Sequence, residues 1–250
     1  MERVRILGCR VDATGGADAV RRIAALAKGE GSSLVVTLGT EMIVAAQRDA
    51  AFRAAVNASA LSLCDTIGVL YAARMYGVRI PERVTGVDLI DPLCDALAAE
   101  GLSLYLLGSK GDTAARAGAA LLARHPGLRI AGARDGYFSP AQDAEVAREI
   151  AATGASVVLV GLGSPRQEMW IRAHLAATGA HVGIGVGGSF DVVAGNVERA
   201  PERWRRLNLE WLYRLLKEPQ RWRRQLALPL FVLLALRERA LAGNTTEATR

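Results

Sequence analysis

Apolar residues fall along this chain in short continuous runs, separated by longer stretches of helical period. The β-rich runs are RVRIL (3–7), SLVVTL (33–38), ALSL (60–63), LSLYLLG (102–108), LRIAGA (128–133), SVVLVGLG (156–163) and HVGIGVGG (181–188). From residue 102 onward they are almost wholly apolar, the pattern of parallel strands covered on both faces. Between them lie Ala-rich segments such as 112–125 and 139–154, opened by the good N-cap residues Asp112 and Ser139. Gly punctuates many of the ends. The alternation predicts an α/β domain over residues 1–195, with a Rossmann-like, mostly parallel sheet flanked by helices.

After residue 195 the pattern changes: Arg, Trp and Leu replace Ala, Gly and Val. Pro201 suits a helix start, and Pro219 breaks or kinks the helix before another begins. A helical appendage is expected over 196–240, followed by a flexible polar tail, 241–250. Within it LALPLFVLLAL (226–236) is apolar for 11 residues and is bracketed by RWRR and RER. A bilayer span needs about 20 such residues. The run fits an interfacial segment, with Trp222, Leu228, Leu230, Phe231, Leu233 and Leu234 as candidate membrane contacts and Trp204 and Trp211 nearby. A helix packed on the α/β core or on a second copy of the chain remains the alternative.

Charge sharpens this division. Between Glu198 and Arg239 there are 11 Lys+Arg against 5 Asp+Glu, while the rest of the 250 residues holds 20 of each. The whole net charge of +6 therefore lies in the appendage, where it can meet an anionic lipid surface, a phosphorylated ligand or nucleic acid. With 51% apolar residues, disorder is excluded as the default. Cys9, Cys64 and Cys94 have no paired spacing and read as small reduced core residues. His125, His174 and His181 have no metal-ligand spacing. The N-terminal segment carries charges through its only apolar run and does not read as a signal peptide. No DxD motif or acidic cluster for a divalent cation is evident, so no metal and no cofactor is expected.

In an open parallel sheet, ligands bind beyond the carboxyl ends of the strands. Three strand exits there are rich in Gly. Gly108 and Ser109 follow one strand, Gly163 precedes Gln167 and Glu168 after another, and Gly187, Gly188 and Asp191 follow a third. Such turns bring backbone N–H groups to an anion, or else simply supply positive φ. Gln167 and Glu168 fit a ligand contact or helix capping. Asp65, directly after a short apolar strand, is a candidate general base or an N-cap. Thr37, Gly39 and Thr40 form a polar elbow between a buried strand and an amphipathic helix. Arg214, Arg221 and Arg224, spaced seven and three, would share one face of a continuous helix, matched to phosphate oxygens or to solvent.

Taken in order, CDTIGVLYAARMYGVRIPERVTGVDLI (64–90), VGLGSPRQEMWI (160–171), the Gly-rich and basic segment 185–224 and the Thr37 elbow resemble the bacterial WecG/TagA/CpsF-type glycosyltransferases. The resemblance spans about residues 4–225. It implies a GT-E type fold and a metal-independent, inverting transfer of a sugar from a UDP-sugar to a polyprenyl-diphosphate-linked saccharide. The implied location is the cytoplasmic face of the bacterial inner membrane, as a peripheral or monotopic protein on an anionic surface. By motif, Asp65 matches the family's proposed base and Thr37 the polar residue on the acceptor side. Gln167 and Arg83 match the residues of the GSPRQE and PERVTG segments. Arg214, Arg221 and Arg224 match appendage arginines that contact the diphosphate. The chain departs from the family pattern at Gly39, where many members have Asn, and at Thr66, where many have Gly.

Three other readings bear on this one. A doubly wound nucleotide-binding oxidoreductase is disfavoured because Asp191 interrupts the GxGxxG pattern. A nucleic-acid-binding protein would leave the apolar run 226–236 without a role, so no nucleic acid is expected. Self-association through the C-terminal helix is compatible with the enzyme.

Overall fold

The structure is a computed structural model that describes residues 2–217, 222 and 226–247; of Arg214 and residues 242–247 only the backbone is described. The chain opens with an antiparallel hairpin, β1 (Arg3–Ile6) and β2 (Cys9–Asp12). Then follow α1 (Gly16–Ala27), β3 (Ser33–Leu38), α2 (Thr40–Ala46), α3 (Ala50–Ala58), β4 (Leu61–Cys64), α4 (Ile67–Met75) and α5 (Gly86–Ala99). The second half brings β5 (Ser103–Gly108), α6 (Thr113–Arg124), β6 (Arg129–Arg134), α7 (Asp143–Ala151), β7 (Val157–Gly161), α8 (Arg166–His174), β8 (Val182–Gly185) and α9 (Ser189–Val193). The appendage contributes α10 (Glu202–Arg206), α11 (Glu210–Lys217) and α12 (Ala227–Glu247).

Strands β3 to β8 form one parallel sheet in the order β4-β3-β8-β7-β5-β6, the fold class expected from the sequence. The near-continuous apolar runs follow from its two covered faces, because successive side chains on a strand point to opposite sides. Val35, Val157, Leu159 and Ile184 pack with Ile23, Leu93, Leu97 and Leu121 on one face. Val36 and Leu38 pack with Ile43 and Phe52, and Val158 and Val160 with Ile150 and Trp170, on the other. Cys9, Cys64 and Cys94 are free and buried, and burial pushes their thiols up to about 11, about 12 and about 12. His125, at the end of α6, lies 2.6 Å from Asp95 and 2.9 Å from Asp91. Burial opposes its charged form, yet the hydrogen bonds to the two carboxylates outweigh that and raise its pKa.

Two elements differ from the sequence expectation. RVRIL is a strand, but it pairs with β2 instead of joining the main sheet. The hairpin is tied to β4 through Asp12, wholly buried, which accepts from Ser62 N–H at 2.8 Å and pairs with Arg3 and Arg10. CRVD is too short and too charged for the period-2 signal to stand out. At the other end, α12 runs on to Glu247, past Leu241, where a tail was expected to begin. Pro219 lies outside the described residues.

Candidate active site

The strand order brings the carboxyl ends of β4, β3, β8 and β7 side by side, and one cavity of about 400 Å³ opens over them. The Thr37 elbow forms its floor. Thr37 is 7% exposed, and its hydroxyl donates to the Gly185 carbonyl on neighbouring β8 at 2.9 Å. With its proton committed there, the Thr37 oxygen faces the cavity as an acceptor. Gly39 and Thr40 turn the chain into α2, and the Thr40 N–H donates to Thr66 Oγ1 at 3.3 Å. A Cβ on Gly39 would lie 3.2 Å from the Thr66 methyl, so a larger residue at 39 and a Thr at 66 compete for one space.

Asp65 extends the β4 ladder by one bond, its N–H donating to the Leu38 carbonyl at 3.1 Å. Its side chain therefore emerges beside the Thr37 elbow, on the cavity wall. Arg83, Thr85 and Gly86, from the segment that leads into α5, line the cavity as well, and the Val84 N–H donates to the Cys64 carbonyl at the end of β4 at 2.8 Å. That helix begins against the β8 exit: a Cβ on Gly86 would lie 2.9 Å from Ser189 Oγ. Thr85 caps it by accepting from the Asp88 N–H.

The opposite wall comes from β7 and β8. Gly163 and Gly187 both take positive φ, 78° and 54°, with open space where a Cβ would be. They shape loops that, with Gly188, line the cavity. Gln167, from the first turn of α8, reaches between them. Its Oε1 accepts from the Gly187 N–H at 3.1 Å, and its Nε2 donates to Glu168 Oε1 at 2.7 Å.

The fourth wall is the appendage: Asn208, Glu210 and Trp211 around the start of α11, and Leu228 from α12. Sequence reasoning missed the first three as site residues. Their only local signal was position just downstream of the basic WRR triplet. A relay holds this wall to the core, since Arg199 lies 2.6 Å from Asp88 and 3.7 Å from Glu210.

Of the residues expected at the site, Thr37, Gly39, Thr40, Asp65, Arg83, Gly163, Gln167, Gly187 and Gly188 converge on this cavity. Four do not line it. Gly108 is glycine for a structural reason, because a Cβ would sit 2.5 Å from the Gly161 backbone. Ser109 and Asp191 meet each other at 3.4 Å, over the β5 side of the sheet, where Asp191 also accepts from Asn196. Glu168 is wholly buried behind Gln167. Arg221 and Arg224 lie outside the described residues, as does the Arg214 side chain.

The candidate membrane residues also divide. Phe231 is 1% exposed, packed with the α2 and α4 core, and so is not a surface contact in this structure. Leu228 and Leu234 turn the same way, toward the cavity and the core, while Leu230 is half-buried. Leu233 is exposed, together with Trp222 and three residues the sequence reading did not single out, Val232, Leu236 and Leu241. Trp211 lines the cavity, and Trp204 packs edge-on against Tyr213 at 5.6 Å. No helix among the described residues is long and apolar enough to cross a membrane. Among those residues, too, no group of three His, Cys, Asp or Glu side chains is placed to share a metal ion.

The chain's likeness to known proteins agrees with this arrangement. Residues 4–244 match the Glycosyl transferase WecG/TagA/CpsF family. An N-acetylglucosaminyldiphosphoundecaprenol N-acetyl-beta-D-mannosaminyltransferase of Bacillus subtilis (strain 168) is 36% identical over 207 residues, 82% of this chain and 80% of the relative. The protein of the same description from Bacillus spizizenii (strain ATCC 23059 / NRRL B-14472 / W23) is 36% identical over 211 residues, 84% of this chain and 81% of its own length. With its parallel sheet, its polar cavity at the strand ends and a match over nearly its whole length, the chain belongs to the WecG/TagA/CpsF family of glycosyltransferases.

Proposed function

We propose that this protein is a metal-independent, inverting glycosyltransferase that moves a sugar from a UDP-sugar to a polyprenyl-diphosphate-linked saccharide at a membrane surface. The observation that carries the reading is that Asp65, Thr37, Arg83 and Gln167 all line one cavity at the strand ends. One carboxylate, one hydroxyl acceptor, one amide donor and one guanidinium then surround a space large enough for a sugar at the junction of two substrates.

In the proposed reaction Asp65 takes the proton of the acceptor hydroxyl. The acceptor oxygen forms a bond to the anomeric carbon from the face opposite the nucleotide. The bond from that carbon to the diphosphate oxygen breaks, and UDP leaves with the electron pair. A positioned base contributes typically about 10²–10⁴-fold. The charge that develops on the diphosphate is met by Arg83, by the loop amides of Gly163 and Gly188, and by the appendage arginines Arg214, Arg221 and Arg224. Ser109 and Asp191, at the neighbouring β5 exit, fit the outer part of the nucleotide. The relatives are described as mannosaminyltransferases acting on N-acetylglucosaminyldiphosphoundecaprenol. Their descriptions favour N-acetylmannosamine, over its uronic acid or glucose, as the sugar tried first.

The test is UDP release from a panel of UDP-sugars, with and without a polyprenyl-diphosphate-linked N-acetylglucosamine, for the wild type and Asp65→Asn. Release should require one donor and the lipid acceptor. In the variant it should fall by about 10²-fold or more, with UDP affinity retained. Undiminished turnover by Asp65→Asn would remove Asp65 as the base.

A further inference from the structure

Glu168 is a carboxylate directly behind this site that the proposed reaction leaves without a role. It is wholly buried, and its Oε2 has no hydrogen-bond partner among the described residues. Burial pushes its pKa up, while hydrogen bonds from Gln167, from the Ser164 side chain and from its own backbone N–H work against the rise. A buried carboxyl with one oxygen left unpaired is costly, so its bond to Gln167 calls for a reason.

What Gln167 gains is a defined orientation. A side-chain amide has two faces of similar shape, oxygen on one and NH₂ on the other, and can turn over between them. Here the Gly187 N–H can only donate, so it requires the amide oxygen. Glu168 Oε1, 2.7 Å from the nitrogen, accepts one of the two N–H groups. Turning the amide over would set its oxygen against the carboxylate oxygen and its NH₂ against the Gly187 N–H, so both contacts would become repulsive. The second N–H of Gln167 is thereby left for the cavity that this residue lines. Gly185 leaves no slack behind the pair, since a Cβ there would lie 2.6 Å from Gln167 Nε2 and 2.8 Å from Glu168 Oε1.

We propose that Glu168 is a positioning residue: through Gln167 Nε2 it locks the Gln167 amide with its oxygen on the Gly187 loop and one N–H presented to a sugar or phosphate oxygen of the substrate. This rests on the glycosyltransferase reading for its kinetic consequence, but the locked amide itself does not.

Glu168→Gln keeps an acceptor oxygen for Gln167, and Glu168→Met keeps similar volume with none. Wild type and both variants are compared for kcat and KM in UDP release and for UDP affinity. The folded state is monitored by thermal melting. Glu168→Met should lose about 10-fold or more in kcat, the scale of one misplaced donor, with UDP affinity within about 2-fold. Glu168→Gln should recover most of that loss. A packing role would move both variants together, or would move melting without a split between kcat and KM; either result overturns the proposal, as does wild-type kcat in Glu168→Met.

The second readout is the Gln167 side-chain amide in ¹H–¹⁵N spectra, assigned by its disappearance in Gln167→Leu. Its two protons should exchange slowly in the wild type and in Glu168→Gln, and rapidly in Glu168→Met. If the wild type turns over no substrate pair, the functional reading fails, and this spectrum alone decides the lock. Unchanged slow exchange in Glu168→Met would refute it.

Discussion

Within the cavity, what decides a residue's role is which of its hydrogen-bonding atoms are already spent. Thr37 spends its proton on Gly185, and Gln167 spends its oxygen on Gly187. Both bonds meet at the end of β8, where the chain reads Gly185, Val186, Gly187. Gly185 is the tightest of these positions: its neighbours at 2.6 Å and 2.8 Å are the polar ends of Gln167 and Glu168. One added methyl must therefore displace the amide or the carboxyl, with overpacking typically costing about 1–3 kcal/mol. Gly185→Ala should fold with a lowered denaturant midpoint and lose turnover out of proportion to UDP affinity. Equal turnover would show that the pair can shift without consequence. Gly39 offers a contrast, because a Cβ there would meet the Thr66 methyl at 3.2 Å and Asp65 Oδ2 at an ordinary 3.8 Å. The space that Gly39 and Thr66 share borders Asp65, so the side chains at positions 39 and 66 together shape the wall beside that carboxylate.

At the scale of elements, the helix that closes the site is held by a stripe and a pin. Leu228, Phe231, Leu234, Ala235 and Glu238 recur at helical spacing along α12, and this stripe faces α2 and α4. Leu228 and Phe231 approach Gly68, one turn from Asp65, where a Cβ would lie 3.3 Å and 3.8 Å from them. Glu238 accepts from the Leu7 N–H at 2.9 Å and from the Tyr76 hydroxyl, pinning the helix to the hairpin. Phe231 is the largest buried side chain of the stripe. Phe→Ala in a core typically costs about 3–5 kcal/mol, most of which here falls on docking of one helix. In Phe231→Ala, amide hydrogen exchange should speed up across 227–240 and in α2 and α4, while β3, β7 and β8 keep their protection. Uniform loss of protection would mean that α12 folds as part of the core and cannot undock alone.

For the whole molecule, the sequence reading succeeded where one physical signal dominated. Continuous apolar runs exposed the strands of the parallel sheet, and polar exits from those strands located Thr37, Asp65, Gly163 and Gln167. It failed where the signal lay in three dimensions. Nothing in Asn208, Glu210 or Trp211 marks them as cavity residues, because the fold of the appendage brings them there. Nor did an apolar run without interruption reveal which side of α12 is covered. The division is visible only in the structure, where Phe231 and Ala235 are buried while Val232, Leu233 and Leu236 are 46%, 64% and 54% exposed. That outer face lies on the same basic segment that carries the whole net charge, and we expect it to rest on an anionic membrane surface. The protein should float with vesicles containing anionic lipid, less so as salt screens the basic residues. Leu233→Asp with Leu236→Asp should weaken flotation and leave UDP affinity unchanged, since neither residue lines the cavity. Lipid-dependent turnover should fall in parallel. Flotation equal to wild type would place the membrane contact elsewhere, and a change in oligomeric state without loss of flotation would assign this face to a second copy of the chain.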